Sequence, residues 1–260
     1  MGVKRTKKKS HRKPALISFD SLDNTDNGIK YIDAEIIPEY IKKTLHYEGV
    51  SVLQVNIKYP QIKLKSNAED IQEKATKRIN KFYDNATKYF MKFSERVLYK
   101  NAVSEYINST KTADNSKNAV FEPMQFKPFG AVLNFEVTYN KNNILCIYSD
   151  ANIYIGKGRG NIRRKAYIWD LSSGIILMSE RFIDFNGGTK NKICSKICGI
   201  IKEQTEKGEE QYIKTDFKTV YKYFNKRNMF ITERGYNFFF PQSSLSPDEC
   251  GIVSFLYVFR

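Results

Sequence analysis

At 260 residues, with 41% hydrophobic and 27% charged side chains, the chain is long enough to bury a core and too apolar for wholesale disorder. Its formal net charge of +15 favours anionic partners, and it is uneven: residues 1–13 hold Lys4, Arg5, Lys7, Lys8, Lys9, Arg12 and Lys13 and no acid. No run approaches the ~18 apolar residues that span a bilayer, and Pro14–Ile17 runs into Ser18, Asp20 and Asp23 too soon for a secretory signal.

These absences predict a cytoplasmic protein, with cell-envelope or spore association as the alternative. The wealth of Lys, Asn, Ile, Tyr and Phe matches the codon bias of an AT-rich bacterial genome, which accounts for part of the basicity. Residues 1–28 read as a disordered basic and polar tail, closed by the Asn27-Gly28 turn signal. The tail is either a solubilising arm or a grip on phosphates or an anionic surface.

Residues 29–118 form the first predicted unit. Alternating Val50, Val52, Val55 and Ile57 around Glu48-Gly49 predict a hairpin of strands 41–47 and 50–58, with Pro60 ending the run. From Ser66 the period changes. Ile71, Ala75, Ile79, Phe82, Ala86, Tyr89, Phe93 and Val97 recur at steps of three and four, which predicts one long helix with an aromatic face in the core. Ser66 and Glu69 have the spacing of a capping box, and residues 109–118 read as a loop.

Residues 119–260 form the second unit. "AVLNFEVTYN" and "ILCIYSDANIYIG" flank Asn140–Asn143, with Leu133, Phe135, Val137 and Tyr139 assigned to one face. "RRKAYIWDL" and "IILMSERFI" flank Ser172-Ser173-Gly174, so four consecutive strands predict an antiparallel meander. A helix at 190–206 follows, in which Cys194 and Cys198 share the apolar face with Ile193, Ile197 and Ile201. That company reads as buried thiols, since the two histidines, His11 and His46, lie far away in sequence. A short helix at 215–226, capped by Thr215 or Asp216, precedes a closing strand, turn, strand, loop and strand. The sum is an α+β fold: an antiparallel sheet or meander packed with one long N-terminal helix and two shorter C-terminal helices.

Two histidines, no phosphate-binding loop and no nucleophile motif give no sign of an enzyme. No cofactor and no metal site is expected. "YIGKGRGNIRRK" alternates Gly156, Gly158 and Gly160 and then gives Arg163, Arg164 and Lys165, but a strand follows it rather than the helix a nucleotide motif requires.

Two stretches, "YIGKGRGNIRRKAYIWDLSSGIILMSERFI" and "MFITERGYNFFFPQSSLSPDECGIVSF", resemble the RsiV-like family. This bacterial domain occurs in RsiV-type anti-sigma factor ectodomains, as the accessory domain of PdaC-type deacetylases, and in stand-alone proteins of unknown function. Tyr154, Gly156, Gly160, Asp170, Leu171 and Gly174 fit its first segment. Phe230, Thr232, Gly235, Phe238, Phe240, Pro241, Pro247 and Gly251 fit its last. Lys157 and Arg159 depart from the family's Gly and His, and Gln242 and Ser243 from its Pro-Tyr. The resemblance implies a non-catalytic binding module that recognises a protein or an anionic glycan or cell-wall polymer through surface loops. The expected contacts are Lys157, Gly158, Arg159, Arg163 and Arg164 in one loop and Gln242, Ser243 and Ser244 in the other. Lysozyme, the partner of the sensing members, is not expected here, because a chain at +15 repels a basic protein at long range. The alternative is nucleic-acid or anionic-surface binding through the tail cations.

Overall fold

The computed structural model describes residues 16–17, 32–65, 69–115, 126–158, 160–208, 212–213 and 216–258. The tail cations, Ser66, Arg159 and Thr215 lie outside the described residues, as do the expectations that rest on them. The architecture is α+β. A six-stranded sheet runs in chain order: β1 (Asp33–Tyr47), β2 (Val50–Lys65), β3 (Phe129–Lys141), β4 (Ile144–Tyr154), β5 (Asn161–Asp170) and β6 (Ile175–Leu177). A second sheet holds β7 (Met229–Thr232), β8 (Gly235–Phe240) and β9 (Val253–Tyr257).

All neighbours pair antiparallel except β2 and β3, whose ladder from Leu53–Phe129 to Ile57–Leu133 is parallel. A parallel pair needs a long crossover. It is supplied by α1 (Glu69–Phe93), a π-turn (Ser94–Leu98) and α2 (Tyr99–Asn115), which run on as one helical rod. Residues 109–115, expected in a loop, are thus its last turns. Glu48 and Gly49 both have positive φ, 48° and 80°, the left-handed pair that a two-residue hairpin turn requires.

β2 continues past Pro60, contrary to the sequence expectation. Pro60 pairs with Pro38, and β3 has already left the ladder at Ile57, so β2 has no strand on that side to miss the absent N–H. Beyond it the Asn80 amide takes over: its Oδ1 accepts from Ile62 N at 2.7 Å and its Nδ2 donates to Ile62 O at 2.9 Å.

The rod lies across the first face of the large sheet. Its buried positions are Ala75, Ile79, Tyr83, Thr87, Phe90, Ser94, Leu98 and Ala102. The expected face agrees from Ala75 through Phe82. It then departs, for Ala86 and Val97 are exposed and Tyr89 is 75% exposed. Steps of four overshoot a period of 3.6, and the wider π-turn at Ser94–Leu98 brings the stripe back onto the sheet. Thr87 and Ser94 are polar members of that stripe, and Ser94 Oγ donates to Phe90 O at 2.9 Å. A search for apolar periodicity passes over both.

At the centre of this layer Trp169 meets Phe82 and Tyr83 with ring centroids 5.2 and 6.0 Å apart, and its Nε1–H donates to Tyr83 OH at 3.0 Å. On β3, Leu133, Phe135 and Val137 keep to the helix side, but Tyr139 does not share their face. The register shifts between Val137 and Tyr139, and this bulge turns Tyr139 into the opposite core beside Cys146 and Ile168.

That second core is closed by the small sheet, α3 (Thr189–Glu206) and α4 (Phe217–Tyr223). α4 starts at the Asp216 cap, whose carboxylate accepts from Thr219 N. The small sheet is covered on both faces. Phe230 lies against Tyr148 of the large sheet at 5.3 Å, and Phe238 against Phe224 at 5.1 Å. Phe238, Phe239 and Phe240 are therefore all buried, where alternation alone required only one or two. β6 is shorter than expected, because the chain leaves the extended form after Met178 and makes a 3-10 turn at Ser179–Arg181.

Cys146 and Cys194 are buried, Cys198 is half-buried and Cys250 exposed, and none is in a disulfide. Burial pushes the Cys146 and Cys194 thiols from about 9 up to about 11. Between those values the folded chain holds protons that the unfolded chain has lost, so this contribution is complete below pH ~9 and is lost as pH rises to ~11. Ellman's reagent at pH 8 is expected to modify Cys250 within seconds to minutes and Cys146 only at the rate of unfolding. A Tyr83→Phe variant strands the Trp169 N–H and is expected to lose about 1–3 kcal/mol in urea titration. Tyr83→Phe combined with Trp169→Phe removes both polar groups, and its loss should fall short of the sum of the two single losses.

Candidate functional site

The first predicted loop, between β4 and β5, is shaped by its glycines. Gly156 has φ 81°, and a Cβ there would stand 2.8 Å from Lys127 O. Lys157 is exposed and pairs loosely with Glu105 of α2 at 3.6 Å. Gly158 lies in the open with φ 66°. Where β5 begins, Arg163 and Arg164 take opposite faces of the strand. Arg163 is exposed, but Arg164 turns toward the small sheet, with its side chain 13% exposed.

Arg164 is fully engaged there. Its Nε and Nη2 bond Asp150 at 2.8 and 2.7 Å, and its guanidinium lies 3.7 Å from the centroid of the Tyr148 ring. Burial alone would favour the neutral form, but the bonds to Asp150 and the charges of Asp150, Tyr148 and Glu136 outweigh it and hold the cation. Tyr148 in turn is pushed up to about 12 by burial and by its hydrogen bond to Glu136. This guanidinium is tied to β4 and faces the small sheet, 6.0 and 5.9 Å from the ring centroids of Phe230 and Phe239; it does not sit on the surface with Lys157 and Arg163.

The second predicted loop docks onto the first, a contact that the spacing of the two in sequence does not reveal. Gln242 Oε1 accepts from Ile162 N at 2.6 Å, while its Nε2 donates to Gly160 O at 3.1 Å and to Asp248 Oδ1 at 2.8 Å. Ser243, at φ 61°, donates from Oγ to Asp248 Oδ1 at 2.7 Å, and Ser244 Oγ donates to Pro241 O at 2.5 Å. The polar side chains of Gln242, Ser243 and Ser244 thus hold the loop in shape. A cleft of about 320 Å³ lies beside the first loop, between Tyr154, Gly156, Lys157, Glu105 and Phe126.

A more strongly charged cleft, of about 560 Å³, lies at α4, where the sequence reading placed no site. Lys190, Lys222 and Lys226 enter it from α3, α4 and the turn after α4, among Phe185, Tyr223 and Phe224. Lys190 Nζ lies 3.5 Å from the centroid of the Tyr221 ring, and Lys222 Nζ 5.0 Å from that of Tyr223. Lys226 reaches Glu180 at 2.7 Å, a contact that lowers the Glu180 carboxyl below its usual range. No carboxylate lines the cleft itself among the described residues. Next to it α4 exposes Phe217, Tyr221 and Tyr223. The signal was present in "FKTVYKYFNKR", where cations interleave with aromatics, but the stretch also reads as a plain amphipathic helix end.

Among the described residues, no group of three or more His, Cys, Asp or Glu is arranged to hold a metal ion, and no helix is long and apolar enough to cross a membrane.

Residues 48–162 match the family model described as Deacetylase PdaC. No curated protein matches the chain. A crystal structure of a DUF3298 family member from Bacteroides fragilis superposes with a TM-score of 0.57 at 14% identity, covering 86% of this chain and 90% of that one. A DUF3298 family protein from Pseudomonas aeruginosa gives a TM-score of 0.47 at 11% identity, over 85% and 89% of the two chains. β2, the helical crossover, β3, β4 and the first residues of β5 thus carry a PdaC-like segment, and the chain shares the fold of the Bacteroides DUF3298 protein.

Proposed function

We propose that the protein is a non-catalytic binding module for an anionic glycan or wall polymer, with the α4 cleft as its principal contact. The observation that carries this reading is the convergence of Lys190, Lys222 and Lys226 on one cleft that the Tyr223 ring lines, beside the exposed rings of Phe217 and Tyr221. Ring faces suit sugar faces, and the ammonium groups suit phosphate or carboxylate. Lys190 and Lys222 rest on rings, so their charge stays available to a ligand, whereas that of Arg164 is spent on Asp150. The groups in the cleft bind and orient; they form no nucleophile and base pair. The resemblance of residues 154–174 and 230–251 to RsiV-like domains supports recognition in place of catalysis. Lys157 and Arg163 form a secondary contact in this reading.

The test compares two variant sets on a phosphate-bearing wall polymer and on a neutral glycan of equal length. Each lysine near an anionic surface contributes about 1 kcal/mol, so Lys190→Ser, Lys222→Ser and Lys226→Ser together are expected to weaken polymer binding roughly a hundredfold. The salt dependence should become shallower while the melting temperature holds. Lys157→Ser with Arg163→Ser should cost several-fold less. Equal losses from the two sets would return the principal contact to the loops, and no effect from either would remove the proposal.

The seven cations of residues 1–13 support the second reading, a nucleic-acid or anionic-surface binder. A chain lacking residues 1–13 that loses DNA binding and keeps polymer binding would assign those two ligands to separate parts of the protein.

A further inference from the structure

β5 is paired on one side along its whole length, from Asn161–Ile153 to Asp170–Ile144. On the other side β6 reaches only Ile168, Trp169 and Asp170. The chain then swings off at Met178, and at the far end the Gln242 amide answers Gly160 and Ile162. Between these points no described strand pairs with β5.

Strand alternation decides what is left there. Ile162 N–H points outward to Gln242, and Ile168 lies outward opposite Leu177, so the N–H and C=O of Arg164 and Ala166 also point outward. A groove of about 450 Å³ follows this edge. Five consecutive residues of β5, Arg164–Ile168, line it. Because successive side chains alternate between faces, a cleft touching all five lies at the strand's edge. Its opposite wall is the Asn225–Met229 turn, with Phe239 also lining it.

The geometry points to strand addition: an extended acidic segment of a partner protein pairs with β5 where β6 stops. The occupant is extended because paired N–H and C=O groups at two-residue spacing are answered by another strand. It is acidic because Lys165 and Arg227 line the groove and no described carboxylate does. A second copy of this chain would set the same cations against each other, and its net charge of +15 opposes that approach. This groove meets the lysine cleft along Asn225 and Asn228, which line both, but the inference rests on the β5 edge and not on the polymer reading.

The probe is a fluorescent twelve-residue peptide alternating Glu and Val, tested beside the same peptide with alternate amides N-methylated. Wild-type protein is expected to bind the first at micromolar concentration and the second at least tenfold more weakly. Binding should slow amide exchange at Arg164 and Ala166. Ala166→Pro removes only an outward N–H, which an edge position tolerates, and should weaken the peptide at least tenfold. Lys165→Glu with Arg227→Glu should do the same and raise affinity for a Lys-Val peptide. A Lys190→Ser, Lys222→Ser variant, changed at two residues that do not line the groove, should bind the peptide as wild type does, so failure of this proposal and failure of the polymer reading are separable. If Ala166→Pro does not fold, the N-methylated peptide and the exchange data decide on wild-type protein. Equal affinity for both peptides, no binding, or self-association abolished by Lys165→Glu with Arg227→Glu would each overturn the proposal. So would peptide binding that appears only after Asp20→Asn, Asp23→Asn and Asp26→Asn, which would give the edge to the chain's own segment.

Discussion

The fold is governed by the need to answer backbone N–H and C=O groups wherever strands of unequal length end beside one another. An unanswered buried amide costs about as much as a hydrogen bond is worth, so each overhang demands a substitute partner. Three side-chain amides act as one-residue strands. Asn80 bonds both polar groups of Ile62, and Asn140 donates to Ala34 O at 2.7 Å and accepts from Ala34 N at 3.2 Å. Gln242 spans Gly160 and Ile162. Each joins parts of the chain that no ladder connects. The rod is pinned to β2, the β3–β4 hairpin to β1, and the late loop to β5.

Charge is distributed by the same logic of partners. Arg164, buried between the sheets, carries a bidentate carboxylate and a ring face, because a buried charge persists only when paired. Exposed Lys222 and half-buried Lys190 follow a different rule, since their ammonium groups reach water and aromatic faces only hold them in place. Lys190 over Tyr221 and Lys222 over Tyr223 therefore combine a fixed position with an available charge. The two arginines that adjoin in sequence have opposite fates for this reason. A strand turns its neighbours to different environments, one to water and one to a core that must neutralise it.

Much of the fold could be read in the chain. Glu48-Gly49, Asn142-Asn143 and Gly174 marked the tight turns, and residues 189–206 and the closing Phe-rich strands appeared where their periods placed them. The misses have specific causes. Tyr139 changed faces because a bulge inserts one residue without any marker in composition. The rod's second half turned Phe90 and Leu98 inward in place of Tyr89 and Val97, because the π-turn and the buried Thr87 and Ser94 do not register in an apolar count. For the candidate site, the two loops form as loops, but their mutual docking and the bonds of their side chains were not legible. Gln242 and Ser243 are spent holding the loops, and the lysine cleft is assembled from α3, α4 and the turn after α4.

By itself the sequence determined the α+β class, the hairpins, the long helix and the excess of positive charge. All of these depend on local period, turn chemistry or composition. The tertiary structure alone decided which cations are paired and where, among the described residues, a strand edge lacks a neighbouring strand. Those outcomes depend on which distant segment reaches a given atom first: Asp150 for Arg164, Gln242 for Ile162, and no described strand for the outward groups of Ala166. Competition among partners far apart in the chain leaves no local periodic trace.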